Sequence, residues 1–301
     1  MRAAIVHQRE LRTDATSRTQ RLERLKPALA CPQCHQQLDY ESDAATCRGC
    51  GARYPIRGGR IYFIELAERS DDLDRLKGWL KHRLGRAYYT VGIRILAPTF
   101  PFNFARRVSR YVDPSRELVV DAGSGNHRIH ADIICADMFD YDVVDVVCSL
   151  DALPFRAASI GAFVSRSVIE HVPAPSTVVD EFDRCTRPGG YSIHMIPFLF
   201  PFHASPADYH RFTHEGQRIL FSRWQHVETM NPTGPVTVAL VVLLEAMATI
   251  LSFNRPGPKS VIYLMLCGVL FPLKFLDAPF VDRRAFLGCA ATILSVVRKP
   301  A

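Results

Sequence analysis

The sequence predicts an α/β fold built on a mostly parallel sheet, and three observations lead to that prediction. Short apolar runs alternate with helical stretches over residues 116–197, which is the pattern of βαβ units. The first of these runs, "LVVDAGSGNHRIH", passes directly from a strand into a Gly-x-Gly turn. Near the C-terminus, "CAATILSVVRK" predicts one more strand, after a very apolar segment.

Composition divides the 301 residues into four parts. We predict a basic tail or short exposed helix over 1–27, a small module over 28–66, a helical linker or lid over 67–112, and the main domain over 113–301. A hydrophobic helical insertion at 235–281 interrupts the main domain. The net charge of +7 permits an anionic partner without requiring one. The opening residues contain no apolar core of signal-peptide length, so we expect a cytoplasmic protein.

Four of the nine cysteines form the most specific metal signal. Cys31 and Cys34, then Cys47 and Cys50, make two C-x2-C pairs, and a hairpin between them brings four thiolates around one tetrahedral Zn²⁺. A full set of protein ligands leaves no open position, so this zinc is structural, and His35 is surplus to it. The alternative is four unrelated thiols or a redox pair.

The Gly-x-Gly turn is typical of nucleotide-binding sites, but its surroundings exclude the commonest ones. No lysine follows the glycines, which disfavours a phosphate-binding loop, and Arg128 occupies the third glycine position of the dinucleotide fingerprint. Asp121, at the end of the strand, would repel a pyrophosphate and attract an ammonium. The amino-acid part of S-adenosylmethionine carries such an ammonium.

The following runs extend this interpretation. "DIICADM" ends in Asp137, which is placed to accept both ribose hydroxyls, and "SLDALPF" places Leu150 and Asp151 beside the adenine. "GAFVSRSVIEHV" predicts a fourth strand that ends beside Glu170. "EFDRCTRPGGYSIHMIPF" predicts a helix, a Pro-Gly-Gly turn and a fifth strand.

In this order, the "LPF", "EHV" and "RPGG" segments resemble the class I S-adenosylmethionine-dependent methyltransferases over residues 116–225. The resemblance implies a Rossmann-like sheet with helices on both faces, and a zinc ribbon precedes this domain in many relatives. Residues expected to bind the cofactor are Asp121, Gly123, Ser124, Gly125, Asp137, Leu150, Asp151 and Ser167. The chain departs from the pattern at His127, Ser149 and Ile160-Gly161, so the adenine contact stays open between Ser149 and Asp151.

The segment after the fifth strand, "PFLFPFHASPADYHRFTHEGQRIL", resembles a "PxHxxPxDYxRFT" pattern in the same group. Methyl transfer is an in-line displacement that depends mainly on alignment, and an alcohol or phenol acceptor also needs a base. The candidate catalytic residues are His203, His210, Asp208 and Glu170. The alternative is that Asp208, with Tyr209 and Arg211, forms a structural lock on the loop.

The apolar runs over 236–253 and 261–276 allow three interpretations: a membrane hairpin, a helical pair lying in the membrane surface, or a buried lid over the substrate pocket. Because the final strand must return to the sheet, we favour the pair in the membrane surface. Cations near both runs suit an anionic bilayer, namely Arg255, Lys259, Lys274, Arg283 and Arg284.

We therefore expect a methyltransferase for a lipophilic or lipid-linked small molecule or glycan precursor, in the cytoplasm at the inner face of a membrane. Two alternatives remain. A ribosomal RNA methyltransferase would fit the zinc ribbon and the basic charge, although the cations are spread out rather than clustered. A non-catalytic adaptor would fit the altered "LPF" and fourth-strand positions.

Overall fold

A computed structural model describes residues 17–66, 96–203 and 207–301. Most of the predicted linker or lid at 67–112 therefore lies outside the described residues. The strands are β1 (Leu38–Tyr40), β2 (Ala44–Cys47), β3 (Arg53–Arg57), β4 (Arg60–Tyr62), β5 (Val119–Ala122), β6 (Ile134–Asp137), β7 (Val146–Val147), β8 (Ile160–Arg166), β9 (Thr186–Pro197), β10 (Gln225–Met230) and β11 (Thr292–Arg298).

The part of the chain that the structure describes contains six α-helices. They are α1 (17–25), α2 (Phe104–Val108), α3 (Pro175–Cys185), α4 (His214–Leu220), α5 (Pro235–Ser252) and α6 (Pro256–Leu270). Short 3-10 turns occupy Lys26–Ala28, Ile169–His171, Phe271–Asp277 and Arg284–Cys289.

All described strands belong to one sheet, in the order β1-β2-β3-β4-β7-β6-β5-β8-β9-β11-β10. The strands from β4 to β9 in this order pair in parallel, and β11 returns antiparallel between β9 and β10. The predicted α/β fold with a mostly parallel sheet is confirmed, as is the last strand. The carboxyl ends of β5, β6 and β8 meet at one edge, where this architecture places its ligands.

The N-terminal module continues this sheet instead of standing apart from it. β4 pairs in parallel with β7, where Ile61 lies opposite Val146, and Leu29 forms an isolated bridge with Phe155 of the "LPF" segment. Ile61, Leu29 and Phe155 all belong to the main hydrophobic core. The module and the main domain therefore share one core.

Over 1–27 the sequence predicts a basic tail or a short exposed helix; the described part is a helix, but its apolar face is buried. Residues 17–25 form helix α1, in which Leu22 and Leu25 are buried in the main core because they lie three residues apart on one face. Arg24 of the same helix donates through Nη2 to the carbonyls of Pro114 and Glu117, at 2.7 Å each. The positive charges thus fasten the helix to the main domain.

A buried carboxylate, Asp145, joins three parts of the chain just before β7. It is 1% exposed, and it accepts from Nε of Arg21 in α1 at 3.0 Å and from the backbone N–H of Cys135 in β6 at 2.9 Å. Arg128, directly after the glycine turn, donates to both of its oxygens at 3.0 Å. Two guanidinium groups and one amide thus compensate the desolvated charge.

The Pro-Gly-Gly segment is part of β9, although the sequence predicts a turn there. The pairing of β8 with β9 shifts register between Ile160 and Ala162. A Cβ on Gly190 would lie 2.6 Å from the carbonyl oxygen of Gly161, so this close approach of two backbones requires glycine at position 190. At position 161, where the chain departs from the family pattern, a Cβ would meet the carboxylate of Glu117.

The hydrophobic insertion is a helical hairpin, α5 and α6, which is fixed to the domain at its base. Asp277, 0% exposed, accepts from the backbone N–H groups of Val236 and Thr237 at 2.8 Å each and so caps α5. Lys274, expected among the membrane-facing cations, is buried instead. Its Nζ donates to Ala97 O at 2.7 Å. The ring centroids of Phe271 and Phe275, in the same 3-10 turn, lie 6.0 and 5.4 Å from this Nζ.

We predict that Asp145→Asn lowers the free energy of unfolding by about 3–5 kcal/mol, because two buried guanidinium groups lose their compensating charge. Chemical denaturation measures this loss. The matched control is Asp39→Asn, which breaks an exposed pair with Arg48 (2.6 Å) and should change stability by less than about 1 kcal/mol. Equal effects of the two substitutions would contradict the role of Asp145.

Candidate active site and zinc centre

The four predicted zinc ligands come together in the N-terminal module. Cys31 Sγ lies 3.6 Å from Cys50 Sγ, and Cys34 Sγ lies 3.3 Å from Cys47 Sγ, with all four sulfurs within 4.8 Å of one another. Sulfurs around a tetrahedral Zn²⁺ are about 3.8 Å apart. The backbone N–H of Gly49 also points at Cys47 Sγ (3.3 Å), as is common at a thiolate ligand. These residues fit one structural zinc ion.

The glycine turn follows β5 and presents backbone toward the carboxyl edge of the sheet. Gly123 has φ +72° and Gly125 has φ +57°, values that favour glycine. A Cβ on Gly123 would lie 2.6 Å from the side chain of Val168, which packs directly on the turn. Glycine at 123 thus lets the segment after β8 close over the turn.

Asp121 lies at the end of β5, and the residue is 5% exposed. No described residue donates a hydrogen bond to this carboxylate, in contrast to the neighbouring Asp137. Burial raises the pKa of Asp121 to about 7, the nearby Asp137 charge adds to the rise, and Arg166 opposes it. A buried acid that lacks a donor suits an incoming ammonium, so the site fits the amino-acid part of S-adenosylmethionine.

Asp137 ends β6 next to the same turn and is 7% exposed. Its carboxylate accepts from the N–H of Gly125 at 2.8 Å and from the N–H of Phe139 at 3.0 Å. These bonds hold the carboxylate in one orientation beside the glycine turn. Its contact with the ribose hydroxyls stays a prediction.

The remaining predicted cofactor residues take different positions. Ser124 is buried beside Asp121, whereas Asp151 is exposed and its carboxylate accepts from the hydroxyl of Ser149. The two residues that competed for the adenine contact are thus bonded to each other, while Leu150 is half-buried against the main core. Ser167 has φ +53°, and this bend brings the next residues back over the glycine turn.

Arg166, at the end of β8, is a site residue that the sequence reasoning missed. It lines one small cavity together with Asp121, Gly123 and Ser124, and Phe104 and Ile129 complete the lining. A cation beside the ammonium acceptor suits the carboxylate of the same amino acid. The available signal was a basic residue at the end of a strand, next to the strand that carries Asp121.

The predicted catalytic residues separate into two groups. Glu170, His171 and His203 place one ligand atom each within 4.8 Å of one another. Glu170 is 0% exposed, and neither carboxylate oxygen accepts a hydrogen bond from a described residue. The Nε2 atoms of His171 and His203 lie 3.6 and 3.5 Å from Glu170 Oε1.

Asp208 and Arg211 form the structural lock that the sequence left as an alternative. Although burial opposes it, hydrogen bonds from Arg211 and from the N–H of His203 hold the pKa of Asp208 below its ordinary value. Arg211 also donates to the carbonyls of Phe200 and Pro201. The Nε2 atom of His210 lies 3.3 Å from Pro173 O, so that ring contacts the segment just before α3 and not the cluster of Glu170, His171 and His203.

An apolar groove of about 580 Å³ runs beside this cluster. One wall is the segment after β9, from Phe198 to Pro201, and the other is α5. The ring of Phe200 contacts the ring of His203, with centroids 5.2 Å apart. Phe200 therefore lines the groove and also contacts the histidine cluster.

Two family models match the chain. Residues 104–194 match a methyltransferase domain, and residues 23–59 match Trm112p-like proteins. The first match covers both the glycine turn and the strands that carry Asp121 and Asp137. The chain therefore contains an S-adenosylmethionine-dependent methyltransferase domain. Its cofactors are S-adenosylmethionine and zinc, and its N-terminal module is Trm112-like.

Solved structures give weaker likenesses to the methyltransferase. The complex of the Haloferax volcanii Trm112 methyltransferase activator with a methyltransferase is 16% identical, over 78% of this chain and 100% of that chain (TM-score 0.42). Haemonchus contortus phosphoethanolamine N-methyltransferase 2 is 14% identical, over 75% and 60% of the two chains (TM-score 0.44). A Burkholderia thailandensis 1,6-didemethyltoxoflavin-N1-methyltransferase is 13% identical, over 88% and 99% (TM-score 0.41). No curated protein sequence matches the methyltransferase.

We predict that the affinity of the methyltransferase for S-adenosylmethionine has a maximum between about pH 7 and pH 8. Below the Asp121 pKa of about 7, the acid must release a proton before it can pair with the ammonium, so affinity falls by up to about tenfold per pH unit. Above about pH 8 the amine of the cofactor itself loses its proton. Isothermal titration calorimetry across this range measures the profile.

Asp121→Asn should remove the decline on the acid side. Asp137→Ala is the comparison, because it removes the predicted ribose acceptor and leaves the Asp121 carboxylate in place. It should weaken binding by about tenfold to a hundredfold and keep an acid-side decline, moved to lower pH because the Asp137 charge no longer raises the pKa of Asp121. If Asp121→Asn retained the wild-type pH profile, Asp121 would not be the ammonium acceptor.

Proposed function

We propose that the methyltransferase acts on a lipophilic or lipid-linked acceptor, a small molecule or a glycan precursor, at the surface of a membrane. The observation that carries the proposal is the apolar groove between α5 and the segment after β9. Its volume of about 580 Å³ falls within the usual range for small-molecule sites. An apolar chain in this groove would place its polar end beside His203.

The outer surface of the hairpin supports a membrane contact. Pro235–Ser252 has a mean hydropathy of 2.0, and 33% of this segment is buried. In Pro256–Asp277, the most apolar stretch of 18 residues has a mean hydropathy of 1.7, and 17% of it is buried. The core helix of a soluble protein would be mostly buried. Large apolar side chains are exposed along both helices, among them Ile250, Leu251, Phe253, Met265, Val269 and Leu276.

An ion pair in the hairpin favours a position in the membrane surface over a full span. Glu245, near the middle of α5, pairs with Lys259 of α6 at 2.6 Å, and both are partly exposed. A charged side chain at the centre of a bilayer costs about 2.5–3.5 kcal/mol. The exposed cations next to the hairpin are Arg255, Arg283 and Arg284, which suit anionic headgroups.

The proposed reaction is an in-line methyl transfer. The lone pair of the acceptor forms a bond to the methyl carbon as the carbon–sulfur bond of the cofactor breaks, which leaves S-adenosylhomocysteine. The acceptor loses its proton at the cluster of Glu170, His171 and His203, and the proton passes to solvent. The contribution of this chain is to align the acceptor along the groove and to hold this cluster in place.

The Trm112-like module suggests a further proposal, which concerns how the module acts on the methyltransferase domain. The Haloferax volcanii Trm112 protein is a methyltransferase activator that forms a complex with a separate methyltransferase chain. We propose that the module of this chain supports its own methyltransferase domain in the same way. The parallel pairing of β4 with β7 and the shared core favour this arrangement.

Two measurements on one set of samples test the proposed function. The protein should float with vesicles that contain anionic lipid, and high salt should release it only in part, because ions screen the arginines but not the apolar contact. With vesicles of total lipid extract and methyl-labelled cofactor, the label should enter the organic phase. Label found in RNA or only in aqueous products would overturn the lipophilic acceptor.

Single substitutions distinguish vesicle binding through the hairpin from nonspecific binding of the protein to vesicles. Met265→Glu introduces a charge on exposed α6 and should reduce flotation by about tenfold or more, since the charge must enter the apolar interface. Ile219→Glu makes the same kind of change at an equally exposed position of α4, outside the hairpin, and should leave flotation unchanged. A wild-type protein that stays at the bottom of the gradient at low salt would favour a lid.

A further inference from the structure

The cluster of Glu170, His171 and His203 has the geometry of a metal site. Both Nε2 atoms lie 3.5–3.6 Å from the same carboxylate oxygen, just beyond hydrogen-bonding distance. Ligand atoms around a tetrahedral ion with bonds of 2.0–2.2 Å are about 3.3–3.6 Å apart. The two distances to Glu170 therefore already suit one cation, and the ligand atoms of all three side chains lie within 4.8 Å of one another.

The hydrogen bond at one ring nitrogen of His171 indicates that the other ring nitrogen faces the cluster. Nδ1 of His171 donates to the carbonyl of Ala207, so its Nε2 presents a lone pair toward Glu170. A carbonyl partner of this kind is the usual support of a metal-bound histidine.

His203 is held in a similar way. Its Nδ1 lies 3.3 Å from Pro201 O and 3.5 Å from Asp208 Oδ2, two acceptors for the ring proton. Arg211 Nη2 is 3.4 Å from the same nitrogen, but it donates to Asp208 at 2.5 Å and to Pro201 at 3.0 Å. The Nε2 lone pair of His203 thus also faces Glu170.

Glu170 is the independent observation that points to a ligand. Its side chain is 0% exposed, and both carboxylate oxygens lack a hydrogen-bond donor among the described residues. A buried, unpaired carboxylate is very unfavourable unless a positive charge compensates it. The loop that carries the lock folds back on this residue, because Tyr209 and His210 donate their N–H groups to its backbone carbonyl. The surrounding chain thus holds the carboxylate in place.

We propose that Glu170, His171 and His203 bind one divalent transition-metal ion, of the zinc or manganese class, separate from the zinc of the four cysteines. Two imidazoles and one carboxylate are a known ligand set for such ions and leave coordination positions open. The open positions would face the end of the apolar groove, where Phe200 contacts His203.

The role of this ion in methyl transfer depends on the proposed function, whereas its binding does not. An acceptor oxygen bound to the cation would have a lowered pKa and would lose its proton to solvent before it attacks the methyl carbon. The cluster then holds the acceptor oxygen through the ion. This role favours an oxygen acceptor, such as a phenol or an alcohol.

Metal content tests the site without any acceptor or turnover. The full-length protein is loaded with excess Zn²⁺, passed through a desalting column and analysed for zinc by mass spectrometry. We expect two zinc ions per chain in the wild type and one in Glu170→Gln and His203→Ala. His210→Ala is the matched control and should keep two, because its ring contacts Pro173 O instead.

Mn²⁺ titration followed by electron paramagnetic resonance reports the second site alone, since manganese prefers oxygen and nitrogen ligands to thiolates. Glu170→Gln and His203→Ala should weaken Mn²⁺ binding on the order of a hundredfold or more. Because Glu170 is buried, cofactor affinity checks that its variant is folded, and the partly exposed His203 provides the second variant. One zinc ion per wild-type chain without Mn²⁺ binding would overturn the proposal, whatever the methyl acceptor.

Discussion

The arrangement of the molecule depends on one buried carboxylate, Asp145. It accepts from Arg21 of α1, the helix that leads into the Trm112-like module, from Arg128 behind the glycine turn and from the backbone of β6. These three groups belong to three different segments of the chain, namely α1, the segment after the glycine turn, and β6. Because an unpaired guanidinium or carboxylate is costly in this interior, each partner requires the other two. The module, the cofactor turn and the sheet therefore keep one relative position.

The carboxyl edge of the parallel strands collects the functional groups. β5 carries Asp121, β6 carries Asp137, and β8 leads through Ser167 into Glu170. The segment after β9 adds His203 and one wall of the apolar groove. The cofactor pocket and the histidine cluster thus occupy neighbouring strand ends, and α5 of the hairpin faces the segment after β9 across the groove. This proximity makes an acceptor that enters along the hairpin a consistent partner for the cofactor.

Local signals in the sequence predicted the parts that depend on local chemistry. The cysteine pairs, the Gly-x-Gly turn, Asp121 and Asp137 stand next to the turns or strand ends that define them. Contacts between distant segments gave no such signal: Arg21 meets Asp145 across 124 residues, and Lys274 meets Ala97 across 177. Side-chain length alone does not say whether a lysine reaches a headgroup or a buried carbonyl. For the same reason the basic composition of the first 27 residues does not show that α1 is buried against the main core.

Hydrogen exchange after removal of the structural zinc tests the central claim, that module and methyltransferase domain form one unit. In β4 and just after it, the amides of Ile61 and Phe63 donate to carbonyls beside and within β7, at 3.1 and 2.8 Å. When a chelator removes the zinc, the account predicts that peptides from β4 and from the glycine turn lose protection together. If the β4 peptides exchanged rapidly while the glycine turn stayed protected, the module would be an independent domain and the account would be wrong.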